Sequence, residues 1–333
     1  MKSDKRKTAT ATRKDRTMQH FAPVKLSPAF KDYLWGGERL KTDFNKNTTV
    51  TPLAESWELS AHKAGESTVA LGEFQGLSFT DYIKAIGEAA LGTNAARFDY
   101  FPLLIKLIDA KDNLSVQVHP DDAFALENEG EYGKTEMWYV LDADEGAALY
   151  CGFKKDITKE EYATAIKENT LTDLLNRVPV TSGDVFFIPA GTVHAIGKGI
   201  LICEIQQNSN TTYRVYDYGR RDKDGNTRPL HQEKAMAVST LKKAPPHEKT
   251  PEGDEVLLAT CPYFTVTRLR VCDEKMLTTT KKSFTSLIVT DGCGSLNGSF
   301  GTLPFTKGDS LFIPADDAAF TLKGAFEVIV TTV

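Results

Sequence analysis

Apolar and polar residues alternate along most of the chain in short runs broken by Gly, Asp, Asn and Pro, the period of two that a strand imposes on its side chains. The pattern predicts strands at Ser67–Leu71, Leu103–Ile108, Leu114–His119, Met137–Leu141, Ala147–Gly152, Asp184–Pro189, Leu201–Gln206, Phe264–Arg270 and Leu287–Thr290. Helical periods are fewer, at Ser78–Ile86, Asp121–Asn128 and Thr158–Leu175. In the last, Thr158 followed by Glu161 resembles a capping box, and Tyr162, Ile166, Leu171, Leu174 and Leu175 supply an apolar stripe. Many short strands imply barrels or sandwiches. A mainly β protein is expected, with a small helical insertion over about residues 156–178 that covers one side.

An internal repeat organises these strands. Gly183-Asp-Val-Phe-Phe-Ile-Pro-Ala190 recurs 125 residues later as Gly308-Asp-Ser-Leu-Phe-Ile-Pro-Ala315, with six of eight positions identical. Each copy reads as a Gly-Asp turn, a short strand and a Pro-containing turn that reverses the chain. Between the copies, Lys242–Gly253 holds Pro245, Pro246 and Pro251 among charged residues and reads as a linker. Two related jelly-roll-like barrels are therefore expected, over residues 18–243 and 254–333, joined through 244–253. The copies diverge after the second turn. The first continues to His194, whereas the second places Ala319 at the same step, so only the first keeps a ligand-capable side chain there.

Composition narrows the class. With 333 residues, 41% of them hydrophobic, the chain has apolar material for about two domains, and whole-chain disorder is excluded. No apolar run approaches the ~20 residues of a membrane span, and the charged amino terminus lacks the apolar stretch of a secretory signal, so a soluble cytoplasmic protein is expected, without a membrane partner. A net charge of −5 lacks the basic excess of a nucleic-acid binder. Residues 1–17 carry seven Lys/Arg against Asp4 and Asp15, a net of +5, and read as a disordered basic leader or an extension ahead of Met18. The five cysteines show no CxxC spacing and suggest reduced thiols, not a disulfide framework or a Cys-rich zinc site.

Candidate chemistry collects in the first copy. Gln117 and His119 alternate along one strand face, joined by Ser115, and Lys134 and Glu136 do the same where the next strand begins. With His194 these give Gln117, His119, Glu136 and His194: two imidazoles, a carboxylate and an amide oxygen, a set suited to zinc or another borderline divalent ion. Read singly, each is as easily a hydrogen-bonded core residue or a rim charge. The second copy acts as an internal control, since it aligns Glu136 with Thr285 and His194 with Ala319. His20, His62, His231 and His247 have no comparable support. The phosphate-binding patterns GxxxxGK[ST] and GxGxxG are absent, and no GxSxG elbow argues for a nucleophilic hydrolase.

At these residues the chain resembles the cupin superfamily, and within it the type I mannose-6-phosphate isomerases of the short bacterial kind. The resemblance is carried by Glu55-Ser-Trp-Glu-Leu-Ser60, Leu114-Ser-Val-Gln-Val-His-Pro-Asp-Asp122, Gly133-Lys-Thr-Glu-Met-Trp-Tyr139, Gly183–His194 and Glu204-Ile-Gln-Gln-Asn-Ser-Asn-Thr-Thr-Tyr-Arg-Val-Tyr-Asp217. It implies two cupin barrels, the second degenerate, and one zinc ion per chain held by Gln117, His119, Glu136 and His194. The implied activity is interconversion of mannose 6-phosphate and fructose 6-phosphate, with an active-site arginine at Arg214 and an acidic residue at Glu204.

Such an isomerisation moves a proton between C1 and C2 through an enediolate, and so needs a base, a cation near the oxyanion and an anchor for phosphate. Arg214 suits the oxyanion or the phosphate through paired hydrogen bonds; without the motif it reads as a surface ion pair with Asp217 or Asp222. Lys134 and Glu204 are both candidate bases. A Lys near pKa ~10.4 is brought down by a neighbouring cation and by burial. Ser115 and Lys106 are candidate phosphate contacts. A non-catalytic sugar-binding cupin and a metal-dependent cupin dioxygenase are the alternatives, the latter disfavoured by Gln117 and Lys134. The oligomeric state, monomer or homodimer, is left open.

The repeat generates a prediction. Because the second copy carries Ala319 at the step of His194, His194→Ala is expected to lose bound metal while keeping its fold, checked by metal analysis and circular dichroism. A variant that collapses contradicts this.

Overall fold

The chain folds into three antiparallel sheets in a computed structural model that describes residues 21–221 and 224–333. The leader assigned to residues 1–17 lies outside the described residues. A six-stranded sheet runs in the spatial order Val185–Ile188, Glu136–Ala143, Ile200–Gln207, Leu103–Ala110, Glu55–Ser60, Ala29–Lys31. A five-stranded sheet runs Tyr213–Tyr216, Val116–Val118, His194–Ala195, Ala148–Phe153, Leu175–Pro179. The third, nine-stranded, is built on the long strands Thr285–Gly298 and Ala318–Thr332. The mainly β expectation holds.

The near-continuous apolar strands of the six-stranded sheet are explained by burial on both faces. Leu103, Ile105, Leu107, Met137, Tyr139, Leu201, Cys203 and Ile205 share a core with Ile288, Phe312 and Ile329 of the nine-stranded sheet, with Phe264 just ahead of its strand Thr265–Val271, and with the helix Phe79–Ile86. The alternate residues Ile108, Trp138, Val140 and Ile202 point the other way, into a second core with Leu114, Leu149 and Ile196. The five-stranded sheet is covered in turn: Val116, Val118, Phe153, Val193 and Val215 pack against Tyr162, Ile166, Leu171 and Ala235 of the helices. The space between the six- and five-stranded sheets is thus closed on both sides.

The repeat is visible in the strand register. Ile188 pairs with Glu136 and Ile313 with Thr285, while His194 stands opposite Gln117 and Ala319 opposite Thr278. The two copies therefore place corresponding residues at corresponding positions. The second fills its interior with Leu296, Leu303, Phe305, Leu322 and Phe326.

Two elements differ from the sequence reading. The helix expected over Thr158–Leu175 is broken in two, Lys159–Lys167, where Thr158 and Glu161 form the capping box, and the single turn Leu171–Leu174. Asn169 takes φ 57°, a left-handed conformation Asn tolerates, which separates the two helices, and Leu175 then opens a strand against Phe153. The other is Val24–Ser27, too short to stand out in the pattern, which pairs with Ser310–Ile313 and so joins the amino-terminal strand to the carboxy-terminal sheet. Among the described residues, no helix is long and apolar enough to cross a membrane.

Phe312 sits at the seam between sheets, fully buried, with ring centroids 5.0 Å from Phe79, 6.2 Å from Tyr82 and 5.3 Å from Phe284. Phe312→Ala is expected to cost ~3–5 kcal/mol of folding stability, measured by urea denaturation. A loss below about 1 kcal/mol would show that the seam does not hold the sheets together.

Candidate active site

The period of two that buries each sheet also aims its polar residues. Val116 and Val118 face the helices, so Gln117 faces the interior; Met137 and Tyr139 face the nine-stranded sheet, so Glu136 and Trp138 face inward. By the same alternation Lys106 on Leu103–Ala110 and Glu204 on Ile200–Gln207 lie on the inner face; Lys106, Glu136, Trp138 and Glu204 are buried and Gln117 is half-buried. His194 enters beside Gln117, and His119 follows directly after Val116–Val118.

His119, Glu136 and His194 bring one donor atom each within 4.8 Å of one another. Nε2 of His119 is 3.6 Å from Glu136 Oε2, and Nε2 of His194 is 3.3 Å from Glu136 Oε1. On the far side of each ring, Nδ1 of His119 lies 2.9 Å from the carbonyl of Thr211 and Nδ1 of His194 lies 2.8 Å from that of Thr192. A carbonyl only accepts, so Nδ1 carries the hydrogen and Nε2 presents a lone pair to the centre. Burial keeps both rings neutral, taking His194 down to about 4 and His119 well below its ordinary value. Gln117 Nε2 is 3.3 Å from His194 Nε2, and a half-turn of the amide presents Oε1 to the centre instead.

Two lone pairs and a carboxylate converging in a dry interior repel each other. Burial pushes the Glu136 carboxyl up to about 7 even with Lys134 beside it, and Oε1 accepts no hydrogen bond among the described residues. A divalent cation resolves that repulsion, and the donor set of two imidazoles, a carboxylate and an amide oxygen fits one. The structure therefore brings the four expected ligands together.

Next to this cluster lies a buried chain of alternating charge. Lys134 Nζ is 2.8 Å from Glu136 Oε2, 3.3 Å from His119 Nε2 and 3.7 Å from Glu204 Oε1. Lys106 Nζ is 3.2 Å from Glu204 Oε1 and 3.6 Å from Glu55 Oε2. Trp138 donates from Nε1 to the far oxygen of Glu204, Oε2, at 3.2 Å, and Trp57 donates from Nε1 to Glu55 Oε2, the oxygen that faces Lys106, at 2.6 Å. Burial alone would raise Glu204, but Lys106 and Lys134 override it and hold the carboxyl at about 2. The same carboxylates hold Lys106 above its ordinary value against the cost of burial.

Arg214 lies on the neighbouring strand opposite Gln117. Its Nη1 donates to the Pro229 carbonyl at 2.9 Å, and its Nε has no hydrogen-bond partner among the described residues. Asp217, the surface partner weighed for it, accepts instead from Arg228 at 2.8 and 2.6 Å and from Arg220; Asp222 lies outside the described residues. Ser115 is buried two positions before Gln117. Glu55, Trp57 and Trp138 were assigned no role from sequence. All three stand in motifs quoted above, but alternation within one strand does not reveal that Glu55 meets Lys106 across the sheet.

An antiparallel sandwich of this order, with two histidines and a carboxylate between its sheets placed so that they could hold a metal, defines a protein of the cupin kind. Two family models match the chain: "Phosphomannose isomerase type I, catalytic domain" over residues 24–168 and "Mannose-6-phosphate isomerase, cupin domain" over residues 254–333. A mannose-6-phosphate isomerase of Streptococcus mutans is 40% identical, covering 92% of this chain and 97% of that protein. One of Bacillus subtilis is 38% identical over 93% of this chain and 98% of its own. The crystal structure of a mannose 6-phosphate isomerase from Bacillus subtilis superposes with a TM-score of 0.86 at 36% identity, covering 94% of this chain and 100% of that one. The chain belongs to the type I mannose-6-phosphate isomerase family, a family of metal-dependent isomerases.

The buried charge chain yields a stability prediction. Lys106→Met leaves Glu204 and Glu55 without the counter-ion between them and is expected to cost ~3–5 kcal/mol, read by urea denaturation. A change under about 1 kcal/mol would mean that Lys134 and the tryptophans satisfy those carboxylates unaided.

Proposed function

We propose that the chain interconverts mannose 6-phosphate and fructose 6-phosphate by moving a proton between C1 and C2 through an enediolate, with zinc as its metal, held by Gln117, His119, Glu136 and His194. The observation that carries this reading is the convergence of two Nε2 lone pairs and the Glu136 carboxylate beside the Lys134 ammonium, in a chain of this family. When bound, a divalent ion in this donor set supplies Lewis-acid polarisation of the sugar's C1 and C2 oxygens.

The protein's own residues supply the rest. Lys134 Nζ, at the edge of the ligand cluster, is assigned to carry the proton between the two carbons. Glu204 is the poorer base, since Lys106 and Lys134 hold it at about 2 and Trp138 occupies one of its oxygens; we assign it to positioning Lys134. Lys106 is assigned to keeping Glu204 ionised and to pairing with Glu55, not to the phosphate contact suggested by its sequence position. Arg214, with its Nε free of hydrogen bonds among the described residues, is assigned to the oxyanion or the phosphate as a planar fork, and Ser115 to the phosphate. The layers on either side of the two sheets exclude water from the reacting carbons.

A coupled assay converting mannose 6-phosphate to fructose 6-phosphate, with metal content measured, is expected to show activity that disappears with chelator and returns with zinc. Activity that survives complete removal of metal overturns the mechanism; absent activity in the zinc-loaded protein favours a sugar-binding role. Lys134→Met is expected to lose at least about 100-fold in kcat with metal retained. A near-normal Lys134→Met beside a crippled Glu204→Gln would exchange the two roles. Arg214→Lys is expected to lose at least ~10-fold in turnover, about 1.4 kcal/mol of transition-state stabilisation; unchanged kinetics would remove Arg214 from the reaction.

A further inference from the structure

One row of side chains crosses the inner face of the six-stranded sheet. Strand register sets Phe186 opposite Trp138, Trp138 opposite Glu204, Glu204 opposite Lys106 and Lys106 opposite Trp57. Directly opposed residues on neighbouring strands share a face and stand about 5 Å apart, so each side chain in the row leans on the next. The two charged groups lie at the middle with aromatic rings on either flank, and all five side chains are buried. Trp138 is the member that reaches both sheets. Its Nε1 donates to Glu204 Oε2 at 3.2 Å within the row, and its ring meets the imidazole of His194, from the five-stranded sheet, edge to face at 5.3 Å and 76°.

The N–H contact matters because of how Glu204 divides its other oxygen. Oε1 lies 3.2 Å from Lys106 Nζ and 3.7 Å from Lys134 Nζ, so Lys106 is the nearer of the two ammonium groups. The last torsion of a glutamate side chain is broad and by itself holds the carboxylate weakly. Without a donor on Oε2, a buried carboxylate oxygen is left unpaired, and turning that torsion toward Lys106 relieves the cost. Lys134 Nζ would then keep only Glu136 Oε2 at 2.8 Å and His119 Nε2 at 3.3 Å, both in the ligand cluster. Trp57 offers Glu204 no such hold, since its Nε1 is spent on Glu55 Oε2.

We infer that Trp138 is a positioning residue of the proposed isomerisation: its indole N–H fixes the Glu204 carboxylate so that Oε1 stays shared between Lys106 and Lys134. Lys134 Nζ thereby keeps an anchor on each side, Glu136 and Glu204, and a set place beside the ligand cluster. The inference rests on Lys134 as the proton carrier. Trp138 is fully buried and acts through Glu204. Its two contacts are separable, because a phenylalanine there retains an aromatic ring for His194 and cannot donate a hydrogen bond.

The test compares wild type and Trp138→Phe as metal-saturated full chains in the mannose 6-phosphate assay. In the variant kcat is expected to fall about tenfold, with KM within about twofold of wild type and the same metal content per chain. In a Glu204→Gln background the same change is expected to add nothing, because no carboxylate remains for the N–H to orient. Benzothienylalanine in place of Trp138, the indole shape with sulfur where the N–H stands, carries the test should Trp138→Phe fail to fold. A crystal structure of the variant is expected to show Glu204 turned toward Lys106 and its Oε1 withdrawn from Lys134 Nζ. The inference is overturned by an unchanged kcat, by metal loss that accounts for the whole fall, by an undiminished further loss in the Glu204→Gln background, or by unaltered geometry among Lys106, Glu204 and Lys134. A wild type that does not isomerise mannose 6-phosphate removes the proposed reaction instead, and the geometry of Glu204 in the variant then decides the role of Trp138 by itself.

Discussion

Five charged side chains share the buried inner face of one sheet and its rim, and the rest of the site follows from how they satisfy one another. Lys106 and Lys134 stand against Glu55, Glu136 and Glu204, all buried. A charge removed from water is tolerated only when paired and hydrogen-bonded, which is why the carboxylates alternate with the ammonium groups and two tryptophan N–H groups cap the ends. Three carboxylates against two ammonium groups leave one negative charge in excess. The cost of that excess falls on Glu136, whose carboxyl is raised to about 7 where two imidazole lone pairs also point, and a cation placed there would relieve it. With a divalent ion and Arg214 added, the same pocket turns positive, the sign a sugar phosphate requires.

The second copy of the repeat shows that the fold does not demand this chemistry. Its strands pair in the same register, Ile313 against Thr285 and Ala319 against Thr278, yet its interior is packed with Leu and Phe. The scaffold supplies positions, and what occupies them decides between a cluster able to hold a metal and an ordinary core. Burying a charge network in one copy while packing the other with apolar side chains places the stabilising mass beside the functional site instead of within it.

That stabilising mass reaches the site through specific joints. Val24–Ser27 pairs with the carboxy-terminal sheet, and Lys46, buried, bridges Glu58 at 2.6 Å and the Gly308 carbonyl at 2.6 Å. Phe312 and its aromatic neighbours close the same seam. Held on one face by this core, the six-stranded sheet can present Lys106, Glu136 and Glu204 on the other without freedom to rearrange, the support that a preorganised site needs.

Much of this was legible in the chain. The period of two located most of the strands and put Gln117 with His119 and Lys134 with Glu136, and the repeat, by its loss of His194 and Glu136, singled out the copy that carries the chemistry. Alternation records only which face a side chain takes within its own strand. It does not record which strands become neighbours, so the Lys106 contacts to Glu204 and Glu55, the N–H caps from Trp57 and Trp138, and the crossing of Val24–Ser27 into the far sheet were decided by tertiary structure. The helix that ends at Asn169 belongs with these: its apolar stripe continues to Leu175, and pairing with Phe153, distant in sequence, makes Leu175 a strand residue. The sequence by itself determined the element pattern and the residue types of the candidate metal cluster. The pairing of charges across strands, which keeps Glu204 ionised against the cost of burial, arose only when the sheets closed.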